Sequence, residues 1–441
     1  MKTPTRRLTL SAALLGALFT LGHLSPAQAQ NIWTNTGTGD WASASNWSQG
    51  AVPGYSSVTG TAIIGSPGYL TGTAVLSSGS YTAIVLQLGR GSNTANGYLR
   101  VNGGTLAGLR SIEIGGAVTS YSGAKGTLEI NSGLVTGTTT QVGVYGQGAL
   151  LLNGGRLQTD TLTLGVNANS SGTLIIGNDG SGMITKLDGS TPTTISSGSG
   201  AGVLRFAHNG NIQFANAVTG NGMLNLGQIQ LIHAGSGTTT LTGGSVSVSR
   251  VSVTRGELSV AANTTLTVNN QTIEVGSGAT LSGEGVISSN PIGMNSKLLT
   301  IQSGGHIAAT LVVNVGLTLE TGAVLDYYGG SGLVLGDGGF EISLVKGTST
   351  VQVDFSRVSL DLGSYHIIDY DATQSNNVAT DGSQFSAIGL GSEVEGTFEV
   401  DQIHNRLVFT VTAVPEPSTY FLLGAGLGLI GFLKLRRRQQ F

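Results

Sequence analysis

Four stretches of the chain repeat one short pattern, and this repetition decides the fold. Residues 97–104 read Gly-Tyr-Leu-Arg-Val-Asn-Gly-Gly, residues 126–133 read Gly-Thr-Leu-Glu-Ile-Asn-Ser-Gly, residues 148–155 read Gly-Ala-Leu-Leu-Leu-Asn-Gly-Gly, and residues 172–177 read Gly-Thr-Leu-Ile-Ile-Gly. Every second residue is apolar, which is the period of a β-strand with one buried face. The Asn-Gly or Asn-Ser-Gly that follows three of them is typical of a sharp turn.

A second strand pattern lies between these units, at residues 86–89, 112–115, 141–143 and 162–165. A unit this short cannot bury its apolar side alone, but stacked units can. The inward rows are expected to contain Leu99, Leu128, Leu150 and Leu174, and then Val101, Ile130, Leu152 and Ile176. The pattern predicts an all-β chain that forms a right-handed parallel β-helix. A β-sandwich or a row of hairpins stays open, because Asn-Gly turns also make hairpins.

The pattern continues more loosely beyond residue 200, at residues 237–244, 255–260, 278–283 and 318–325. Together these segments resemble the autotransporter-associated β-strand repeat of exported, passenger-like proteins. The resemblance covers roughly residues 85–325. It does not extend to an outer-membrane barrel, so it implies no self-translocation.

The last 28 residues form a separate signal. Pro415, Glu416 and Pro417 precede an apolar run over residues 418–433, and Arg436, Arg437 and Arg438 follow it. The run predicts a short transmembrane helix, with the positive charges on the cytoplasmic side. This arrangement resembles the PEP-CTERM tail, which implies that an exosortase recognises the Pro-Glu-Pro region and processes the protein there. An ordinary single-pass anchor is the alternative.

The first 29 residues read as a secretory signal peptide. Basic residues precede an apolar run over residues 8–24, and Ala27 and Ala29 form an A-x-A cleavage site. We therefore expect the Sec translocon to export the chain through the inner membrane. The tail would anchor it there transiently, and its final location would be the cell surface or the extracellular space.

These signals divide the chain into five predicted parts. They are a signal peptide (1–29), a cap with three tryptophans (30–84), solenoid repeats (85–325), an acidic β segment (326–413) and the sorting tail (414–441). Trp33, Trp41 and Trp47 are expected to cover the open end of the solenoid, where strand edges and core would otherwise be exposed. Contact with a glycan, by stacking of these rings on sugars, is the functional alternative.

Charge and composition limit the partners. The two ends hold seven of the 20 basic residues and one of the 23 acidic residues, which leaves 13 basic and 22 acidic residues and a net charge of −9. This balance argues against binding to nucleic acid, which requires basic surfaces. It is compatible with cations or neutral polysaccharide. The chain has no cysteine, so it folds without disulfides.

The sequence offers no catalytic constellation and no cofactor motif. Beyond the signal peptide, five histidines are scattered without metal-ligand spacing and are expected at surfaces or turns: His208, His233, His306, His366 and His404. The acidic residues of the repeat region are spread out. Glu113 and Glu129 are expected on the surface, without a basic partner at matching positions.

One acidic loop has oxygen ligands of the kind that calcium prefers, in Asp369, Asp371 and Asp381. It lacks the regular series of a known calcium loop, so the sequence favours a solvated loop and predicts no metal site.

These features predict a structural or adhesive protein of the cell surface or extracellular matrix, associated with exopolysaccharide. A β-helix enzyme that cleaves polysaccharide is the alternative, and three carboxylates on one solenoid face would favour it. Ice binding is less favoured, because it needs one Thr-x-Thr per coil and the repeat does not show that.

Overall fold

The computed structural model describes residues 30–55, 60–116, 122–189, 192–220, 227–269, 272–290, 299–330, 332–336, 350–370, 382–392, 394–413, 423–430 and 434. Strands dominate these residues, and short 3₁₀ turns occur at Ala44–Asn46 and Gly382–Gln384. The predicted signal peptide, with Ala27 and Ala29, lies outside the described residues.

The N-terminal strands build the first coils. In chain order they are β1 (Gln30–Ile32), β2 (Thr38–Asp40), β3 (Thr61–Ile64), β4 (Thr71–Leu76), β5 (Ser80–Thr82), β6 (Val85–Leu88), β7 (Asn96–Ile114), β8 (Lys125–Val142), β9 (Gln147–Leu152), β10 (Arg156–Leu164), β11 (Ser171–Ile176) and β12 (Met183–Thr185). The long strands β7 and β8 bend around corners, so each contributes to more than one sheet.

The middle strands are shorter. They are β13 (Thr194–Ser197), β14 (Ala201–Phe206), β15 (Asn211–Phe214), β16 (Val218–Thr219), β17 (Ile229–His233), β18 (Thr238–Leu241), β19 (Ser245–Val248), β20 (Arg250–Val253), β21 (Gly256–Val260), β22 (Thr265–Asn269), β23 (Ile273–Val275), β24 (Ala279–Gly283), β25 (Val286–Asn290), β26 (Leu299–Ile301), β27 (His306–Ala308), β28 (Val312–Asn314), β29 (Leu317–Leu319), β30 (Val324–Asp326) and β31 (Leu333–Leu335).

The last strands are β32 (Val351–Asp354), β33 (Gly363–Asp369), β34 (Phe385–Ile388), β35 (Val394–Asp401) and β36 (Arg406–Ala413). The first three of these still follow the coils, because β32 and β34 pair in parallel and β33 pairs in parallel with β31. β36 then pairs antiparallel with both β33 and β35. This antiparallel group, β33, β35 and β36, is called the C-terminal cap below.

From the second coil onward, the coils build three parallel sheets. Sheet I contains β1, β3, β6, the ends of β7, β8 and β10, and then β13, β16, β19, β22, β25, β28 and β31. Sheet II contains β2, β4, the starts of β7 and β8, and then β9, β11, β14, β17, β20, β23, β26 and β29.

Sheet III has two parts. The first contains β5, the middle of β7 and β8, the start of β10, and β12. The second contains β15, β18, β21, β24, β27, β30, β32 and β34. Because neighbouring coils pair in parallel, the sandwich and hairpin alternatives are wrong and the chain is a parallel β-solenoid. The right-handed sense of the coil stays a prediction.

The predicted alignment of the first four units is confirmed. Leu99 pairs in register with Leu128, Leu128 with Leu150, and Leu150 with Leu174, all on sheet II. All four side chains are fully buried. They belong to one continuous core of buried residues that extends from the tryptophans of the first coil to the C-terminal cap.

The later units are confirmed as coils, but most of them lie on a different sheet from the first four. Thr239, Leu258 and Leu281 stand in register on sheet III, whereas the first four units lie on sheet II. The segment at residues 318–325 is divided, since its start belongs to β29 and its end to β30. The same alternating pattern therefore serves two sheets, which the sequence alone does not distinguish.

Glycine shapes the corner between sheets I and II. Gly143 follows the end of β8 with φ at 71°, a backbone conformation that residues with a Cβ rarely adopt. Gly172, near the start of β11, packs so closely that a Cβ there would collide with the carbonyl oxygen of Val142 and the amide of Gly165. These contacts explain why the repeated units begin with glycine.

Part of the sorting tail is helical. Residues 423–430 form a helix, and its apolar side chains Leu423, Leu427, Leu429 and Ile430 are exposed. In the described part of the chain, no helix is both long enough and apolar enough to cross a membrane. The predicted transmembrane helix is therefore not found there, and most of the remaining tail lies outside the described residues.

Candidate functional site

The sorting motif follows directly on the folded solenoid. β36 is the central strand of the C-terminal cap and ends at Ala413. The predicted motif residues Pro415, Glu416 and Pro417 come next in the sequence, but they lie outside the described residues, as do the arginines at 436–438. The structure therefore gives the attachment point of the tail and not its geometry.

The three tryptophans pack against one another in the first coil. The ring centres of Trp33 and Trp47 are 5.1 Å apart, and those of Trp41 and Trp47 are 4.9 Å apart, both edge to face. Trp47 Nε1 donates a hydrogen bond to the carbonyl oxygen of Trp41 at 2.9 Å. All three are buried, so they offer no open face to a sugar. The glycan-contact interpretation of Trp33, Trp41 and Trp47 is wrong for this reason.

The calcium candidate is only partly described. Asp369 lies in β33, and its Oδ1 is 4.0 Å from Nε of Arg406, whose positive charge opposes a cation at this position. Asp371 and Asp381 lie outside the described residues. Elsewhere in the described chain, no group of three or more His, Asp or Glu could hold a metal ion.

Glu129 has partners that the sequence did not predict. Arg100, one coil earlier on sheet II, donates from Nε to Glu129 Oε2 at 2.7 Å, and the Tyr98 hydroxyl donates to the same oxygen. Burial alone would raise the pKa of the Glu129 carboxyl, but the hydrogen bonds from Tyr98 and Arg100 outweigh it and hold that pKa below its usual value. The expectation that this glutamate lacks a basic partner is wrong.

Glu113 is also held, but by neutral groups. Gln87 donates to Glu113 Oε2 at 2.8 Å, and the Ser111 hydroxyl donates to Oε1 at 3.0 Å. Gln87 and Glu113 stand in register on adjacent coils of sheet I. The two glutamates therefore belong to different sheets and form no joint site.

A continuous row of polar residues follows the outer face of sheet I. Its members stand in register, one per coil, and we call them the polar row: Gln87, Glu113, Gln141, Thr163, Ser196, Thr219, Ser247, Thr267, Ser288 and Asn314. Neighbouring hydroxyls contact each other, as Thr163 and Ser196 do at 3.2 Å and Thr267 and Ser288 at 3.1 Å. Six consecutive coils, from Thr163 to Ser288, present a hydroxyl.

Sequence reasoning missed the polar row. It expected no regular hydroxyl array, because the repeat shows no Thr-x-Thr in every coil. The row was missed because the coils differ in length and its residues are unevenly spaced along the chain. Thr163 and Ser196 are separated by 33 residues, whereas Thr267 and Ser288 are separated by 21. The sequence signal that could have revealed the row is a polar residue between two buried ones in each strand of sheet I. Thr163, between Leu162 and Leu164, is an example.

Acidic residues gather on the outer face of sheet III. His306 Nδ1 lies 2.9 Å from Asp326 Oδ1, and Asp326 stands in register with Asp354 on the next coil. Asp326 is almost fully buried, and hydrogen bonding to it raises the pKa of His306. Glu257 aligns with His306 through Thr280, so three carboxylates share this face. Sequence reasoning found no such group.

Two other histidines are buried inside the solenoid, contrary to the expected surface positions. His208 and His233 pack edge to face with ring centres 5.8 Å apart. His208 contacts the Thr239 hydroxyl through Nε2 at 2.7 Å, and His233 Nδ1 donates to the carbonyl oxygen of Arg255 at 2.7 Å. Burial lowers the pKa of both imidazoles, so the neutral forms are favoured.

Comparison with known proteins identifies the tail. Residues 413–438 match the model of the PEP-CTERM protein-sorting motif. This motif indicates an exported protein that is sorted to the cell surface with the help of an exosortase. No curated protein and no solved structure matches the chain. The resemblance of the coils to autotransporter-associated repeats stays a prediction.

Proposed function

We propose that this chain is a structural, adhesive protein of the cell surface or extracellular matrix and that it holds exopolysaccharide. The polar row of sheet I carries the proposal. Parallel strands lie about 4.8 Å apart, so six hydroxyls in consecutive coils form a long uncharged line of donors and acceptors. A polysaccharide presents hydroxyls along its whole length and can meet many of these groups together.

The strength of such binding comes from the number of contacts along one polysaccharide chain. A single contact of millimolar affinity supplies only about 4 kcal/mol. Several such contacts along one chain act together, because each later contact forms at a high effective concentration. The mixture of hydroxyl, amide and carboxylate groups in the row also suits a varied glycan better than a fixed ice lattice.

Removal of hydroxyls from the row tests this function. Thr→Val keeps the shape and the strand preference of the side chain but removes its hydrogen bonds. The test variant changes the three threonines of the polar row: Thr163, Thr219 and Thr267. The matched control changes three threonines of sheet II: Thr127, Thr173 and Thr300.

The assay measures how much of each full-length variant sediments with polysaccharide from the host matrix. We expect the sheet I variant to be retained several-fold less than the control, because its hydrogen bonds to the glycan are missing. Equal retention of the two variants would remove the polar row as the binding surface. Failure of the unmodified chain to sediment would reject the adhesive function itself.

Processing of the tail completes the proposal. The signal peptide would direct the chain to the Sec translocon, the apolar run would hold it transiently in the inner membrane, and an exosortase would act at Pro415, Glu416 and Pro417. Replacement of these three residues by Ala should leave an uncut chain in the inner membrane. The control Gln439→Ala should be processed normally. Mass spectrometry of the released chains distinguishes the outcomes.

A polysaccharide-cleaving enzyme is the second candidate, and the carboxylates of sheet III favour it. Asp326 with His306 and Asp354 would be the site, because glycoside cleavage uses paired carboxylates. If this candidate were correct, the full chain would release reducing or unsaturated ends from matrix polysaccharide and Asp326→Asn would abolish the release. The structural proposal expects no release from either form.

A further inference from the structure

A cavity of about 450 Å³ lies beside the C-terminal cap. One side is the segment that follows β30, with Tyr327, Gly329 and Gly330. The other side is formed by Ser359, in the segment before β33, and by Tyr365 in β33. This volume falls within the range of about 300–1,000 Å³ that is typical of small-molecule sites. Neither the polar row nor the carboxylates of sheet III line it.

The two tyrosines at the cavity are held in place by the protein itself. The ring of Tyr327 packs against Phe355 and Tyr365, with centres 5.5 Å and 6.4 Å apart. The Tyr365 hydroxyl donates to the carbonyl oxygen of Asp361 at 2.9 Å and accepts from the amide of the same residue at 2.7 Å. The half-buried ring of Tyr365 is therefore positioned before any ligand binds, which lowers the entropic cost of binding, whereas Tyr327 is buried and supports it.

The rest of the lining is mixed: Val358 and Leu360 are apolar, the other side chains are polar, and none is a carboxylate, lysine or arginine. Ser359 and Ser364 are exposed, and His366 accepts a hydrogen bond from Arg406 behind it. Gly330 has φ at 81°, and a Cβ placed there would meet nothing within 4 Å, so its backbone borders open space. Serine hydroxyls and backbone groups thus face the cavity beside the tyrosines.

From this lining we infer that the cavity binds the end of a neutral glycan chain. Sugars combine an apolar C–H face with surrounding hydroxyls, and the cavity combines the half-buried ring of Tyr365 and the apolar Val358 and Leu360 with hydroxyl and backbone partners. The lack of lysine and arginine in the lining disfavours phosphate or uronate, and the serine hydroxyls and His366 beside the apolar groups disfavour a lipid chain. The inference rests on the proposed glycan-binding function and adds a discrete end-group site to it.

The test uses the full chain and a panel of neutral disaccharides, namely cellobiose, maltose and lactose. A disaccharide that ends in glucuronic acid serves as the charged probe. Saturation-transfer NMR with titration measures the affinity for each sugar. We expect at least one neutral disaccharide to bind at least tenfold more tightly than the glucuronic acid probe. Absence of binding by all the neutral sugars, or preference for the charged probe, would overturn the inference.

Variants locate the binding. Ser359→Trp would fill the cavity from an exposed position and should weaken binding at least tenfold, whereas Ser359→Ala removes one hydroxyl and should weaken it two- to threefold. Leu362→Trp adds the same ring at a 69% exposed neighbour outside the lining and should bind like the unmodified chain. Equal affinities of Ser359→Trp and Leu362→Trp would place the binding elsewhere and overturn the inference.

Sedimentation with matrix polysaccharide separates this inference from the proposed function. If the chain sediments with the matrix but binds no neutral disaccharide, the end-group site is refuted and the adhesive function stands. If disaccharides bind and Ser359→Trp abolishes this, the site is supported even where the chain fails to sediment.

Discussion

Nε of Arg100 lies 2.7 Å from Oε2 of Glu129, across the boundary between two neighbouring coils of sheet II. The two residues stand in register, and the Glu129 side chain is only 13% exposed while that of Arg100 is 42% exposed. The ion pair, with the Tyr98 hydroxyl, joins two coils by side chains as well as by the backbone. An outward position on this solenoid is therefore not always a free surface position.

Loss of this pair should be measurable. Glu129→Ala should lower the free energy of unfolding by about 1 kcal/mol, because Arg100 and Tyr98 lose a charged acceptor. A double-mutant cycle with Arg100→Ala should give a coupling of about 0.5 kcal/mol, since Arg100 is partly exposed and the solvent screens it. Arg205→Ala, at an exposed arginine of sheet II, is the control. A coupling indistinguishable from zero in urea unfolding would contradict the pairing.

A charge placed in the inward row should be far more damaging. Leu128 is fully buried between Leu99 and Leu150, so Leu128→Asp would bury an unpaired carboxylate at a cost of several kcal/mol. Thr173→Asp puts the same group on the outer face of sheet II and should change stability by less than about 1 kcal/mol. Thermal melts of the two variants compare the faces directly. Equal losses would show that the assignment of inward and outward faces is mistaken.

The corner glycines should tolerate no side chain. Gly172→Ala would drive a methyl group into the carbonyl oxygen of Val142, and overpacking of this kind costs about 1–3 kcal/mol. Gly276→Ala is the matched control, because its Cβ would lie 3.5 Å from the nearest backbone atom, an ordinary contact. The measurement is the urea midpoint of each variant. A Gly172→Ala midpoint equal to that of the control would show that the corner relaxes freely.

The local alternation of the sequence predicts the coils well. Leu128 and Leu150 occupy the same position in two units that repeat one alternation of apolar and polar residues. Pairing between neighbouring coils places them in register. This succeeds because strand alternation and glycine corners are local properties that each coil repeats. Assignment to a sheet is harder, because the motif of sheet II around Leu128 and that of sheet III around Leu258 look alike.

The candidate sites depend on contacts between residues of neighbouring coils. The number of residues that separates such partners along the chain is not constant. Asp326 meets His306 across 20 residues, and Tyr98 meets Glu129 across 31. Coil lengths vary, so no fixed sequence period predicts that these residues are in contact. The sorting tail could be identified because its signal is contiguous, as the match over residues 413–438 shows.

Acid should weaken the solenoid through its two buried histidines. Burial holds the pKa of His208 and His233 below the usual value of 6.5, so the unfolded chain binds protons that the folded chain excludes. The free energy of unfolding should therefore fall as the pH drops below about 6.5. At His233, burial dominates: the hydrogen bond to the carbonyl oxygen of Arg255 and the nearby charge of Glu257 raise the pKa only in part, and the neighbouring His208 lowers it further.

His306 should act in the opposite direction, which provides the control. Asp326 raises its pKa, so its contribution to stability is complete below the unfolded pKa of 6.5 and is lost as the pH rises through the raised value. In urea unfolding at pH 8 and pH 5, the double variant His208→Leu/His233→Leu should lose most of the acid destabilisation. His306→Gln should retain it and show a steeper loss. An unchanged pH dependence in the double variant would mean that other groups, and not the buried pair, govern the response to acid.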